Sequence, residues 1–188
     1  MPEPIVISDY DPEWPNRYLA LRAPIAAALG DLAVGIEHVG STSVPGLAAK
    51  PTIDIVILVR SIADLPRVIE RLERIGYVHE GDFGVNGREA FATPAGYAKH
   101  DHHLYACHPD WPGYGDQIVF RDYLRTHPAA ADAYAALKRS LAIRHRDDRA
   151  AYTAAKADFV RDVLSKSGPS GPNPYSLSSS PLPSGSVR

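Results

Sequence analysis

The sequence predicts an α/β fold in which helices pack against one β-sheet. Two segments rich in β-branched residues lie early in the chain, at residues 34–39 and 52–59, and shorter ones follow. Elsewhere, apolar residues recur at spacings of three and four, which is the pattern of helices with one buried face. We expect these apolar faces to pack on the sheet.

The predicted elements cover the first 165 residues. In chain order they are a strand at 4–7, a helix at 15–29, strands at 34–39 and 52–59, a helix between Ser61 and Gly76, strands at 77–80, 88–93 and 102–107, and helices at 116–126, 128–145 and 148–165. One domain is therefore predicted over residues 1–166. Residues 167–188 are rich in Ser, Pro and Gly, and this tail is predicted to be disordered because it cannot bury enough apolar surface.

The segment at residues 52–59, TIDIVILV, is apolar on both faces except at Asp54, which is typical of a central strand. An ionised carboxylate on such a strand is costly unless it is paired or bound to a metal. One partner for Asp54 is Mg²⁺ held together with substrate phosphates, and the other is Lys50 or an arginine in an ion pair. Alternation places Asp54 on the same face as Thr52 and Val56.

The strand at residues 34–39 is followed by a loop of small and hydroxyl residues: Gly40, Ser41, Thr42 and Ser43. Its backbone N–H groups and hydroxyls suit a phosphate, and Lys50 would neutralise part of the charge. The same residues also suit a hydrogen-bonded Ser/Thr turn before the bend at Pro45. The spacing leaves both interpretations open.

Histidine and arginine residues give two further candidates. In the segment HHLYAC, alternation places His103 and Tyr105 on one strand face and His102 on the other, so the two adjacent histidines cannot line one site. His103 is a candidate base or metal ligand, or an ordinary exposed strand residue. Arg125 could bind a phosphate through its planar guanidinium, or form an ion pair with Asp122 on its own helix.

Charge and composition argue against several classes of partner. The chain has 20 Lys and Arg residues against 22 Asp and Glu, so no global field attracts nucleic acid or an anionic membrane. The longest nearly apolar run, residues 53–59, is far shorter than the roughly 18 residues that a membrane helix needs. The single cysteine, Cys107, cannot form an intrachain disulfide and fits a reducing compartment. We expect a cytoplasmic protein without nucleic-acid or membrane partners.

Four segments together resemble the GrpB family: YDPEWP at 10–15, IEHVGSTSVPGLAAKPTIDI at 36–55, HHLY at 102–105 and FRDYLRTHP at 120–128. The resemblance spans nearly the whole domain. It implies a nucleotidyltransferase-like α/β (α+β) fold with a mixed sheet, flanking helices and a helical C-terminal part. The family is also found fused to dephospho-coenzyme A kinase, which implies a functional link to that enzyme.

The wider nucleotidyltransferase superfamily, as the resemblance implies it, has a Gly-Ser loop, two acidic residues one apart on the next strand, and a third acid on a later strand. Two Mg²⁺ ions bridge these acids and a triphosphate. Gly40 and Ser41 match the loop, and Asp54 matches one acid. Thr52 stands in the place of the partner acid, and HHLY offers no third carboxylate.

The resemblance therefore implies a metal-dependent nucleotidyltransferase that acts on a nucleoside triphosphate. A small-molecule acceptor is expected, because it fits a compact, mildly acidic domain better than RNA does. Asp54 would hold Mg²⁺ or Mn²⁺, and His103 would act as a base or a ligand. The residues expected to bind the nucleotide and its phosphates are Gly40, Ser41, Thr42, Ser43, Lys50 and Arg125. The alternative is a non-catalytic module that binds a nucleotide or a coenzyme A precursor, because Thr52 leaves the acid set incomplete.

Overall fold

The computed structural model describes residues 4–97, 101–167 and Tyr175. Within these residues the strands are β1 (Ala33–Val39), β2 (Ile53–Val59), β3 (Val78–Gly81), β4 (Arg88–Ala92) and β5 (His102–Cys107). The α-helices are α1 (Trp14–Leu29), α2 (Leu65–Glu73), α3 (Pro112–Thr126), α4 (Pro128–Arg144), α5 (Arg149–Ala154) and α6 (Ala157–Lys166). Single turns of 3₁₀ helix lie at Gly30–Leu32, Ser41–Ser43 and Ile62–Asp64.

The five strands form one mixed sheet in the order β1-β2-β5-β4-β3. The central neighbours β2 and β5 run parallel, and the other three neighbouring pairs are antiparallel. In this register Asp54 lies between Val39 of β1 and His103 of β5. The mixed sheet with flanking helices predicted from the sequence is confirmed.

Strand β2 is covered on both faces, as its apolar pattern predicted. On one face, its isoleucines pack in the main core against α1 and α2, through residues such as Ile25 and Leu72. On the other face, Val56 and Leu58 pack with Tyr114 of α3. Burial on both sides explains why Asp54, near one end of the strand, is its one charged residue.

The C-terminal helices form a wall beside the first β-strands. Val44 and Leu47, which follow the loop after β1, pack with Leu124 of α3 and Tyr134 of α4. The N-terminal Ile5 packs in another cluster with residues of α4 and α5. Because these clusters attach the helices to the loop side of the sheet, a cleft forms between the two parts. No helix in the described ranges is long and apolar enough to cross a membrane.

The predicted strand at residues 4–7 is wrong. This segment is extended but lies outside the sheet: the Ile5 N–H donates to the Arg146 carbonyl, and Ser8 forms an isolated bridge with Ala49. The side chain of Ile5, one of the β-branched residues that suggested a strand, is instead buried against helices α4 and α5. Apart from Ser167 and Tyr175, the predicted tail lies outside the described residues.

Helix boundaries also differ from the prediction, most clearly in two places. Helix α3 begins at Pro112, four residues before the predicted start, because proline is tolerated in a first turn even where glycines lower helix propensity. The predicted final helix is two helices, α5 and α6, which are separated at Ala155 and Lys156. The apolar spacing runs through this break, so the sequence pattern could not reveal it.

Truncation of a central core residue tests this architecture. Ile57→Ala removes a side chain that is 0% exposed between β2 and the helices, and we expect it to lower the free energy of unfolding by about 2–5 kcal/mol. Ile143→Ala is the matched control, because Ile143 is 82% exposed and its loss should change stability by less than about 0.5 kcal/mol. Urea denaturation measures both values, and equal effects would contradict the assigned core.

Candidate functional site

Gly40 brings the loop after β1 against the carboxylate of Asp54. Its φ of +71° lies in the left-handed region that favours glycine, and a Cβ at this position would stand 2.3 Å from Asp54 Oδ2. Any side chain here would therefore push the loop and the carboxylate apart. The next three residues form the 3₁₀ turn Ser41–Ser43.

Two of the loop hydroxyls hold the shape of the loop itself. Thr42 donates its hydroxyl proton to the Thr52 carbonyl at 3.1 Å, so the contact of 3.0 Å with His38 must be donated by His38 Nε2. Burial lowers the pKa of His38 to about 4, which keeps the imidazole neutral at pH 7. The Ser43 hydroxyl donates to the Gly40 carbonyl.

Helix α3 fixes the loop from outside with two arginines. Arg121 donates to Glu37 Oε2 and to the His38 carbonyl, each at 3.1 Å. Arg125 donates to the Ser43 carbonyl through Nε at 3.1 Å and Nη2 at 2.7 Å, and it also contacts Asp122. These bonds hold backbone carbonyls on both sides of the Gly-Ser loop. Arg125 is not among the side chains that line the cleft described below.

Asp54 is paired with His103. The two residues are neighbours across the parallel strands, and Asp54 Oδ1 lies 2.8 Å from His103 Nδ1. Because an ionised carboxylate can only accept, Nδ1 carries the proton and Nε2 is the basic nitrogen of the neutral ring. About 30% of each side chain is exposed, so the pair is open to a ligand. The sequence predicted both residues but not this bond between them.

A cleft of about 220 Å³ contains most of the predicted site. From the sheet and its loops it is lined by Ser41, Thr42, Lys50, Thr52, Asp54 and His103. From the N-terminal segment and the helices it is lined by Ile5, Lys138, Arg149, Tyr152, Thr153 and Lys156. Three of these lining side chains, Lys50, Arg149 and Lys156, are cationic, Lys138 is a further buried amine, and Asp54 is the carboxylate among them. The charge of the cleft favours an anionic ligand. Gly40 and Ser43 support the loop behind this surface.

The cations of the C-terminal helices were missed from the sequence. Lys138 is 2% exposed, donates to the Ala48 carbonyl and stands 4.7 Å from the centre of the Tyr134 ring. Burial, together with Lys156 and Arg139, lowers the pKa of Lys138 to about 7. The sequence did contain a signal for this burial. Lys138 lies four residues after Tyr134 and three before Leu141, which is the spacing of the buried face of the helix.

The second lysine, Lys156, lies in the break between α5 and α6. Its ammonium stands 4.3 Å from the centre of the Tyr152 ring. Burial lowers its pKa, and the charge of Asp54 acts in the opposite direction. Lys156 and the Asp54–His103 pair line the same cleft from opposite walls.

The side chains present fit one divalent cation at most. Within residues 4–97, 101–167 and Tyr175, no group of three or more His, Cys, Asp and Glu side chains is arranged to hold a metal. Glu37 is engaged with Arg121, and Glu89 with His79, so neither supplies a second acid beside Asp54. One carboxylate together with ligand phosphates is still a usual setting for a single Mg²⁺.

Gly40→Ala tests the close approach of the loop to Asp54. We expect it to destabilise the protein by about 1–3 kcal/mol more than Gly46→Ala, measured by urea denaturation. Gly46 is the matched control because its φ is +79° but a Cβ there would meet nothing within 4 Å. Both variants share the backbone strain, and only Gly40→Ala adds the clash. Equal losses would mean that the contact with Asp54 constrains nothing.

Lys138 predicts a specific dependence of stability on pH. Because its pKa is lower in the folded than in the unfolded chain, the unfolded chain holds more protons between about pH 7 and 10. Stability should therefore rise with pH in this window relative to Lys138→Met, by up to about 1.4 kcal/mol per pH unit. Urea denaturation at several pH values measures the difference, and parallel curves would rule out a buried amine of low pKa.

Comparison with known proteins places the chain in a family. The family model described as GrpB protein matches residues 4–166. The UPF0157 protein PA4798 of Pseudomonas aeruginosa is 39% identical over 163 residues, which cover 83% of this chain and 64% of that protein. UPF0157 protein YqkA of Bacillus subtilis is 35% identical over 152 residues, which cover 81% of this chain and 44% of that protein. The chain thus spans less than two thirds of the length of either relative.

A dephospho-CoA kinase of Mycolicibacterium paratuberculosis is also similar, at 31% identity over 185 residues that cover 85% of this chain and 45% of the kinase. As with the two relatives above, the match involves only part of the longer protein.

Solved structures agree with the family and with the fold. The structure of the conserved protein GrpB from Enterococcus faecalis has a TM-score of 0.78 and 32% identity, and it covers 86% of this chain and 96% of that one. The MgGTP-bound Cid1 poly(U) polymerase has a TM-score of 0.54 at 16% identity, over 73% of this chain and 45% of that one. The second likeness concerns the fold alone. The chain belongs to the GrpB family and has a fold similar to that of nucleotidyltransferases.

Proposed function

We propose that this protein binds a nucleoside triphosphate in the cleft and transfers its nucleotidyl group to a small-molecule acceptor. The observation that supports this most directly is the position of the Asp54–His103 pair in a cleft whose other charged side chains are cations. A polyphosphate needs the cations, and a transfer reaction needs a group that can accept a proton.

The cations come from both walls of the cleft. Lys50 lies on the sheet side, and Arg149 and Lys156 lie on the helical side. A lysine acts on phosphate as a compact point charge, and an arginine adds a planar pair of donors. Ser41 brings a hydroxyl to the same surface. A chain of phosphates between the walls would be neutralised on both sides.

The chemistry follows from the pairing of His103. With Nδ1–H held by Asp54, Nε2 takes the proton of an acceptor hydroxyl. The acceptor oxygen then forms a bond to the α-phosphorus while the bond from that phosphorus to the pyrophosphate oxygen breaks. Lys50, Arg149 and Lys156 stabilise the charge that develops on the phosphate oxygens. One Mg²⁺ or Mn²⁺ held by Asp54 and the phosphates would add neutralising charge when bound.

A second candidate is a binding module without catalysis. The observation that favours it is Thr52, which is buried where the superfamily pattern has an acid, so Asp54 is the one carboxylate among the described residues that line the cleft. Its ligand would be a nucleotide or a coenzyme A precursor. Similarity to a dephospho-CoA kinase is the reason to include dephospho-coenzyme A among the compounds tested.

Nucleotide binding tests both candidates. We expect calorimetry to detect binding of at least one nucleoside triphosphate or of dephospho-coenzyme A. At a ligand concentration of 100 times the dissociation constant, binding should raise the free energy of unfolding by about 2.7 kcal/mol, which a thermal-shift assay detects as a higher melting temperature. Each ligand is measured with and without Mg²⁺ or Mn²⁺. Lys156→Ala should weaken binding about tenfold or more, because it removes a cation from the cleft. Lys166→Ala is the control, because Lys166 pairs with Asp162 outside the cleft, and it should bind within about twofold of the wild type.

Release of pyrophosphate separates the two candidates. The protein is incubated with the bound nucleotide and a low-molecular-weight cell extract as the source of acceptor. A transferase releases pyrophosphate, and His103→Ala should lower the rate by about 10²–10⁴-fold while binding changes little. Binding without release by the wild type would favour the binding module. The absence of binding by every nucleotide would reject both.

A further inference from the structure

Arg88 and Tyr105 extend the candidate site along the sheet. The register pairs Arg88 of β4 with Cys107 of β5, which lies on the same strand face as Tyr105 and His103. The Arg88 guanidinium carbon stands 4.3 Å from the centre of the Tyr105 ring. The Tyr105 ring is in turn 6.2 Å from the His103 ring, measured between centroids. His103, Tyr105 and Arg88 therefore lie in a row on one face of the sheet.

The Arg88 guanidinium has no anion within the described part of the chain. It is partly buried, its Nε is shielded from solvent without a hydrogen-bond partner, and it forms no ion pair. Glu80 of the neighbouring β3 influences Tyr105 electrostatically but does not pair with Arg88. By contrast, Arg121 and Arg125 each contact a carboxylate and a backbone carbonyl.

A guanidinium that is partly buried without an anion is unfavourable unless a ligand completes it. The contact with the face of Tyr105 offsets part of the cost but leaves the in-plane N–H groups as donors. Those donors form a planar fork that matches the two oxygens of a phosphate or a carboxylate.

We propose that Arg88 and Tyr105 form the acceptor subsite: Arg88 binds an oxyanion group of the acceptor, and Tyr105 packs against its body. The acceptor is thus a small molecule that carries both a hydroxyl and a phosphate monoester or a carboxylate. The term acceptor rests on the proposed function, whereas the anion site stands independently of it. Lys50 and Lys156 line the nucleotide cleft, so the two anion sites are distinct.

Phenyl phosphate, benzoate and benzyl alcohol are the probes for this site. Titration is followed through the arginine Nε–Hε signals in ¹H–¹⁵N NMR, and affinities are measured by calorimetry. We expect phenyl phosphate or benzoate to shift the Arg88 signal. The probe that binds with the higher affinity indicates whether the acceptor carries a phosphate or a carboxylate. Benzyl alcohol, which lacks an anion, should leave the signal in place.

Variants assign the binding to Arg88. Arg88→Gln should weaken the tighter probe about tenfold or more, whereas Arg60→Gln, which removes an exposed arginine just after β2, should stay within about twofold. Lys156→Ala should leave the probe within about twofold, and saturating ATP should not displace it. If Arg88→Gln does not fold, the wild-type Arg88 signal decides the question.

Three results would overturn the proposal. One is an unchanged Arg88 signal with every probe, and another is equal affinity of Arg88→Gln and Arg60→Gln for the probe. Displacement by ATP together with a loss in Lys156→Ala would also overturn it, because the probe would then occupy the nucleotide cleft. Probe binding at Arg88 without any nucleotide binding would support the anion site and reject the proposed function, so the two failures are distinguishable.

Discussion

The close approach of Gly40 to the Asp54 carboxylate is the constraint on which the rest of the site depends. Without a Cβ, the loop after β1 can lie directly against the carboxylate at the end of β2. The loop is then held in place by its own hydroxyls and by two arginines from α3. With the loop in place on one side, the second carboxylate oxygen pairs with His103 on the other. A backbone property of one residue thus determines where the polar groups of the cleft stand.

Local charge in the cleft is unlike that of the whole chain. The formal net charge is −2, yet the described side chains that line the cleft include three cations, the buried amine of Lys138 and one carboxylate. The acids nearby serve other purposes: Glu37 pairs with Arg121, and Asp122 contacts both α3 arginines. Glu37 and Asp122 pair with the α3 arginines outside the cleft, so their negative charge is not among the side chains that line it. Whole-chain charge therefore argues against long-range attraction of nucleic acid but does not describe the ligand that the cleft suits.

Much of the sheet could be predicted from the sequence, because strand alternation and helix periodicity are local properties. They gave β2, its single charged residue, and the separation of His102 from His103 onto opposite faces. The bond between Asp54 and His103 could not be predicted, because it depends on the parallel pairing of strands that are far apart in sequence. Lys138 and Lys156 were missed for the same reason: only the packing of α4 to α6 shows what they face. Arg125 was predicted to bind phosphate because a guanidinium group suits that ligand. In the structure it donates instead to the backbone carbonyl of Ser43, in a loop that is far away in the sequence.

The separation in sequence between the two walls of the cleft has a consequence for folding. The loop and Asp54 lie in the first third of the chain, and Arg149 and Lys156 lie in the last quarter. Contacts of such high contact order form late, because a long intervening segment must lose entropy before they are made. The sheet can therefore reach its register while the cleft is still open on one side. Until those contacts form, the Asp54–His103 pair faces only the lysine of the sheet side, so the capacity of the cleft to bind an anion depends on the docking of the C-terminal helices.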